Sequence, residues 1–376
     1  MLIKECEYLL RWVASAIHDT TPAELPAGLS FQKIYDLAMM HDVCNLAFYA
    51  VEKLQRKPDE PLYTQWRTRR DLALMRDMHQ EHAREELVKA FREKDIPFLE
   101  LQGTVIKEYY PHREYRTMSD LDFIVPTERL DEAGQILRNL GYALRIQGNF
   151  EIDGKRAPNI YVELHTEYFP KNTFLYNSMG DPDFRKDKSP EETIREFYLY
   201  NVIHVAKHYF SAGCGIRRVL DLYLLQARYG EELEHMDIDR DLEKVGIADF
   251  TGEINALAQD WFRPEGFRWT ESQMAEQILL SPLHGQRENF IHSRITDIGG
   301  EGTARPVAKL KYLLHRLFPG RVVMHKHYPF LKKWVILYPF CWIHRGIKLV
   351  TSGRLSRAKK ELYTVISASE DHRKRK

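Results

Sequence analysis

Asp120 and Asp122 flank a leucine in the run Arg116-Thr117-Met118-Ser119-Asp120-Leu121-Asp122-Phe123-Ile124-Val125. On a strand, alternate side chains share a side, so the two carboxylates lie on one face while Leu121 and Phe123 take the other. Like charges held side by side repel unless a cation lies between them, and a divalent ion is the usual partner for oxygen ligands at that range. A third carboxylate, Glu163, sits in Ile160-Tyr161-Val162-Glu163-Leu164-His165, a second alternating run. If the two strands are neighbours, Asp120, Asp122 and Glu163 suit a two-metal site, in which one ion activates an attacking hydroxyl and the other holds a triphosphate and its leaving oxygen. The plain alternative for an isolated Asp-x-Asp is a solvated turn.

Context argues against that alternative. Gly103-Thr104 follows one apolar run and precedes a short helical one, a place where backbone N–H groups receive phosphate oxygens. Farther on, His204 and His208 are four residues apart and share a helix face, with Lys207 beside it. The zincin motif requires Glu after its first His, and His204-Val205-Ala206-Lys207-His208 lacks it, so zinc hydrolysis is excluded. The face reads either as a packed histidine pair or, together with Arg217 and Asp221, as the far wall of a nucleotide cleft. In the second case Lys207 or Arg217 contacts phosphates, and Asp221 or a histidine takes the acceptor's proton. A mutual ion pair is the structural alternative for Arg217 and Asp221, and packing is the simplest reading of His165.

The elements that must position these groups follow from periodicity. Leu2 to Val13, a helix capped by Ser30 through Met40, and Leu62 to Lys94 all read as helical. Pro97 ends that lead-in. Phe98 to Leu101 then reads as a strand, Thr104 to Tyr110 as a short helix, and Asp120 to Val125 as a strand. Arg129 to Leu140 is a helix closed by Gly141, and Tyr142 to Ile146 and Ile160 to His165 are strands with a Gly/Asp/Lys turn region between them. From Ser189-Pro190-Glu191-Glu192 onward the spacing is helical again, over Ile194 to Phe210 and Ile216 to Tyr229.

The ordered motifs resemble the uncharacterised nucleotidyltransferases, a branch of the polymerase-β-like nucleotidyltransferase superfold. They are Leu101-Gln102-Gly103, Tyr110-Pro111, Arg116-x-Met118-x-Asp120-x-Asp122, Glu163-Leu164-His165, His204 with His208, and Gly215-Ile216-Arg217 followed by Asp221. The resemblance covers residues 96–229 well and the flanking helices loosely. It implies an α/β core (a mixed α+β sheet) between N- and C-terminal helical regions, dependence on Mg2+ with Mn2+ as the substitute, and nucleotidyl transfer. The expected divisions are a helical region at 1–94, the core at 95–188, a helical domain closing the cleft at 189–300 and a basic helical region at 301–376. The implied metal ligands are Asp120, Asp122 and Glu163. The nucleotide-binding candidates are Gly103, Thr104, Lys107, Arg116, Ser119, Lys207, His208, Arg217 and Asp221. The family's lysine before the turn glycine is Gln102 here, which donates a hydrogen bond but carries no charge, so Lys107 and Arg116 are candidate substitutes. The leading expectation is transfer of an NMP from an NTP to a hydroxyl with pyrophosphate leaving. The rivals are a degenerate nucleotide-binding module and an antitoxin-like interaction protein.

Composition narrows the classes further. With 376 residues and 44% apolar content the chain can bury a real core, and a net charge of +1 suggests neither a dedicated nucleic-acid binder nor an acidic tail. The charge is segregated: from Arg305 to the end 18 Lys and Arg face 3 acids, a net of +15, against −14 over the rest. That basic, aromatic-rich end suits an anionic surface, membrane or RNA, or else docking on the acidic remainder of the chain. Cys6, Cys44, Cys214 and Cys341 form no CxxC pair, the N-terminus carries no secretory signal pattern, and the longest apolar run, Trp334 to Ile343, is broken by Pro339. A cytoplasmic chain with reduced thiols and no transmembrane helix is expected.

Overall fold

The computed structural model describes residues 2–146, 151–169, 176–211, 213–281, 305–318, 324, 328–332 and 334–351. It forms two compact units, Met1–Lys207 with Cys214–Leu283, and His208–Gly213 with His284–Lys376.

The first unit opens with α1 (Leu2–Ile17), α2 (Phe31–Met40), α3 (Cys44–Val51) and the 34-residue α4 (Glu60–Glu93). Ser30 caps α2 as expected, its hydroxyl accepting the Lys33 N–H at 3.4 Å. Helix α4 carries Ala83, Leu87, Val88 and Phe91 on one stripe, and that stripe covers a sheet.

The sheet contains β1 (Leu99–Glu100), β2 (Leu121–Ile124), β3 (Ala143–Ile146), β4 (Glu151–Arg156) and β5 (Ile160–His165), in the order β1-β2-β5-β4-β3. Strands β2 and β5 pair in parallel and the other pairs are antiparallel, so the sheet is mixed. Helix α5 (Gly103–Ile106) follows β1, and α6 (Leu130–Asn139) packs beside α4 on the covered face. Leu121, Phe123, Ile152, Val162 and Leu164 are buried under those two helices. Alternation therefore turns Asp122, Glu163 and His165 to the opposite face.

The Gly/Asp/Lys stretch between the last two expected strands contains β4 rather than only a turn. Its hydrophobic alternation is nearly absent because Glu151 and Asp153 occupy one side, while Gly154 takes a core-facing position beside Leu137 and Tyr142. The short helix after β1 is also tighter than expected: α5 ends at Ile106 and a 3-10 turn, Lys107–Tyr109, follows.

Helices α7 (Tyr176–Met179), α8 (Pro190–Ser211), α9 (Ile216–Glu234), α10 (Ile238–Val245), α11 (Ala248–Phe262) and α12 (Gln273–Leu279) complete the helical succession up to residue 281. In the second unit, α13 (Arg305–Leu317) and α14 (Tyr338–Thr351) accompany a small core of Met324, Leu331, Tyr338 and Cys341. Of the 18 Lys and Arg counted from Arg305 onward, Arg321, Lys326, Lys333 and all those beyond Thr351 lie outside the described residues.

Candidate active site

Strand register creates an acidic row on the sheet face away from α4 and α6. Asp122 is the parallel partner of Glu163, and Glu163 is the antiparallel partner of Asp153. One step along, Ile124, His165 and Glu151 are likewise in register. Two groups of side chains bring ligand atoms within 4.8 Å of one another: Asp122, Glu163 and His165, and Glu151, Asp153 and Glu163. Asp120, one residue before β2, lies on the side of Asp122 by alternation, and the Ser119 hydroxyl donates to it at 2.8 Å. Burial, with the nearby Asp122 charge, pushes Asp120 up to about 6. Burial works against a charged His165, but Asp122 and Glu163, at 3.4 and 3.5 Å from its Nε2, raise it to about 10. Its hydrogen bond in turn holds Glu163 below the ordinary carboxylate range, against the effect of burial. The His165 Nε2 therefore faces the two carboxylates of the row. A set of carboxylate oxygens gathered this closely fits a hard divalent ion such as Mg2+ or Mn2+.

Several expected nucleotide ligands have partners within the fold. Arg116 is buried and donates from Nε and Nη2 to the two oxygens of Asp221 at 2.8 and 2.9 Å, while the Tyr110 hydroxyl donates to the same carboxylate at 2.8 Å. This buried pair ties the loop before β2, Tyr110 and α9 together. Arg217 does not pair with Asp221 either; it is ion-paired with Asp42 and donates to the Thr117 carbonyl at 2.8 Å. Lys107 is buried against Asp77. The Thr104 hydroxyl donates to the Leu101 carbonyl at 2.9 Å, which closes the β1–α5 turn from within. Gly103 is required by close packing, because a Cβ there would meet Met118 Sδ at 2.6 Å. His204 stacks on Tyr200 with centroids 5.7 Å apart, and His208 falls in the other unit.

Gln102, Arg218 and Lys207 are three further candidate donors among the described residues. Gln102 is buried, takes φ of +21°, and its Nε2 has no hydrogen-bond partner among the described residues. Arg218 is buried in the first turn of α9, has no ion pair among the described residues, and burial with the neighbouring Arg217 charge lowers it to about 10. A cation at a helix N-terminus opposes the helix dipole, so this guanidinium sits where an anion would be welcome. Lys207, lowered by burial and then by Arg218, faces the Phe169 ring at 5.8 Å. Tyr200 links the groups, since its phenol is pushed up by burial and then by Asp122, with Arg218 opposing. Beside the turn, a cavity of about 780 Å³ is lined by Leu101, Thr104, Tyr109, Tyr168, Phe184 and Tyr200 among others.

Glu151, Asp153 and Arg218 were not singled out in the sequence, and Gln102 was noted only as the replacement of the family's lysine. The first two repeat the Asp-x-Asp spacing around Ile152, which was the available signal. Arg218 had none beyond its place next to Arg217.

Among known proteins, the family model described as "uncharacterised nucleotidyltransferase" matches residues 28–263. No curated protein sequence matches the chain. One solved structure, titled for the solution structure and substrate-regulated conformation dynamics of the antibiotic-resistance factor ANT(2'')-Ia, is similar at 16% identity. It covers 48% of this chain and 96% of that one, with a TM-score of 0.29.

Proposed function

Since the chain belongs to the uncharacterised nucleotidyltransferase family, we propose that it transfers an NMP from an NTP to a hydroxyl acceptor, releasing pyrophosphate. The observation that carries this reading is the direct register of Asp122 with Glu163, which gathers their oxygens on one open sheet face. In this reading Asp120, Asp122 and Glu163 hold the metal, and Asp153 and Glu151 border it. A bound Mg2+ neutralises developing phosphate charge and lowers the pKa of the attacking hydroxyl. The protein's own contribution is positioning and charge, because phosphoryl transfer needs little covalent help. Gln102 Nε2, Lys207 and Arg218 receive the triphosphate, so the buried Arg218 and the half-buried Lys207 stand in for the lysine that the family places at residue 102. Gly103 keeps the turn compact beneath them, with its backbone and that of Thr104 facing the β- and γ-phosphates. Arg116, Asp221, Arg217 and Lys107 brace the walls of the site. The aromatic cavity beside the turn admits the acceptor.

The test is pyrophosphate release with each of the four NTPs, Mg2+ and a hydroxylated acceptor pool, comparing the intact chain with Asp122→Asn. Turnover should fall by at least about 1,000-fold in the variant, on the scale of losing a main charge stabiliser, while circular dichroism stays unchanged. Equal turnover in the two proteins sinks the proposal. Gln102 favours a second reading, a module that holds nucleotide without turning it over. Calorimetric NTP·Mg2+ binding with no product from any NTP would select that reading.

A further inference from the structure

The second unit carries an apolar stripe that belongs to none of the chemistry above. Helix α13 exposes Val307 (47%), Leu310 (57%), Leu314 (47%) and Leu317 (63%). Their spacing of three, four and three residues places them on a single helix face. By helical spacing Lys309 and Lys311 fall on either side of the stripe. Beyond the helix, Trp334 and Ile336 are exposed at 63% and 80%. From Arg305 to Thr351 the chain contains ten Lys and Arg and no Asp or Glu. No described helix is long and apolar enough to cross a membrane.

We propose that α13 and the Trp334–Ile336 segment form a docking surface for an anionic membrane, with the stripe entering the headgroup boundary and the basic residues facing lipid phosphates. Two features select this partner. A run of basic residues without a single acid complements an anionic surface, and aliphatic side chains at helical spacing match the acyl boundary of a bilayer. A polynucleotide would match the charge but offers nothing to four aliphatic side chains, since its bases stack on aromatic rings. A helix of 13 residues is too short to span, so it lies in the plane of the surface. The proposal is independent of the nucleotidyl-transfer reading.

Co-sedimentation of the full chain with vesicles of phosphatidylcholine alone, or mixed with phosphatidylglycerol, tests this surface. The chain should pellet with the mixed vesicles, remain in solution with phosphatidylcholine alone, and be released as salt is raised. Leu310→Glu with Leu314→Glu should lower partitioning by at least tenfold. Lys309→Gln with Lys311→Gln should lower it by roughly tenfold or more, given the contribution of each basic residue near such a surface. Leu310 and Leu314 are exposed and Lys309 is half-buried, so circular dichroism of both double variants should match the parent, and the glutamine pair tests the surface without putting acids into the stripe. Absence of pelleting at low salt overturns the proposal. So does equal pelleting with neutral vesicles, or pelleting unchanged in both double variants. Finally, a concentration-dependent dimer that Leu310→Glu with Leu314→Glu abolishes while vesicle binding persists would assign the stripe to a second copy of the chain.

Discussion

At residue 102 two physical demands point in opposite directions. A buried amide without a partner costs on the order of 1–3 kcal/mol relative to one that is hydrogen-bonded or absent, and Gln102 Nε2 is such a group among the described residues. A triphosphate oxygen would satisfy it. Gln102→Ala should therefore leave thermal stability equal or higher while weakening NTP·Mg2+ binding by about 3–10-fold, the worth of one hydrogen bond to a charged acceptor. Differential scanning fluorimetry and calorimetry on the same protein check the two signs together; a variant both less stable and equally tight would show that the amide serves the fold instead. The same logic separates the arginines. Arg116 spends Nε and Nη2 on Asp221, whereas the equally buried Arg218 has no ion pair and its Nε no hydrogen-bond partner among the described residues.

The sheet and the helix that covers it meet at two glycines, and this contact sets how well the acidic row is supported from behind. A Cβ on Gly134 of α6 would stand 2.7 Å from Ile152 Cδ1 of β4, the strand that carries Glu151 and Asp153. Gly134→Ala should gain helix propensity yet destabilise the protein by about 1–3 kcal/mol through overpacking. Adding Ile152→Val removes the offending methyl and should recover most of that loss, a coupling that urea unfolding of both single variants and the double variant will measure. Independent, additive losses would mean that the helix moves instead of clashing. These elements also show what the sequence made legible. Strands β2 and β5 were readable because Leu121, Phe123, Val162 and Leu164 keep the hydrophobic alternation that burial under α4 and α6 demands, and the same alternation put Asp122 and Glu163 on one side. Strand β4 was not readable, because its site-facing positions are acidic and one core-facing position is a glycine, leaving only Ile152 to carry the pattern. The Arg116–Asp221 lock was hidden for another reason: its partners are 105 residues apart, and only the folded chain brings them together.

Across the first unit, His41 ties together three helices that are remote in sequence. It follows α2, its Nδ1 accepts the N–H of Ile216 at the start of α9 at 3.3 Å, and its Nε2–H donates to the carbonyl of Leu279 at the end of α12 at 3.2 Å. Only the neutral ring can do both, since a proton on Nδ1 would confront the Ile216 N–H. Burial lowers its pKa from 6.5 to about 4, with the Leu279 carbonyl opposing. As pH falls through this interval the unfolded chain binds the proton and the folded one does not. Stability is therefore fully present above about 6.5 and lost progressively down to about 4, a loss on the order of 3 kcal/mol. Asp120, pushed up to about 6, acts in the opposite sense over part of the same range, because there the folded state binds the proton first. The decisive quantity is accordingly the difference between the parent chain and His41→Gln. Glutamine removes the titration and retains an amide that can donate and accept, so the variant should start less stable near neutrality and lose less on acidification. Urea unfolding at a series of pH values should show the two stability curves converging as pH falls from about 6.5 toward 4. Curves that stay parallel would mean that His41 is already protonated in the fold and that its links to α9 and α12 tolerate the charge.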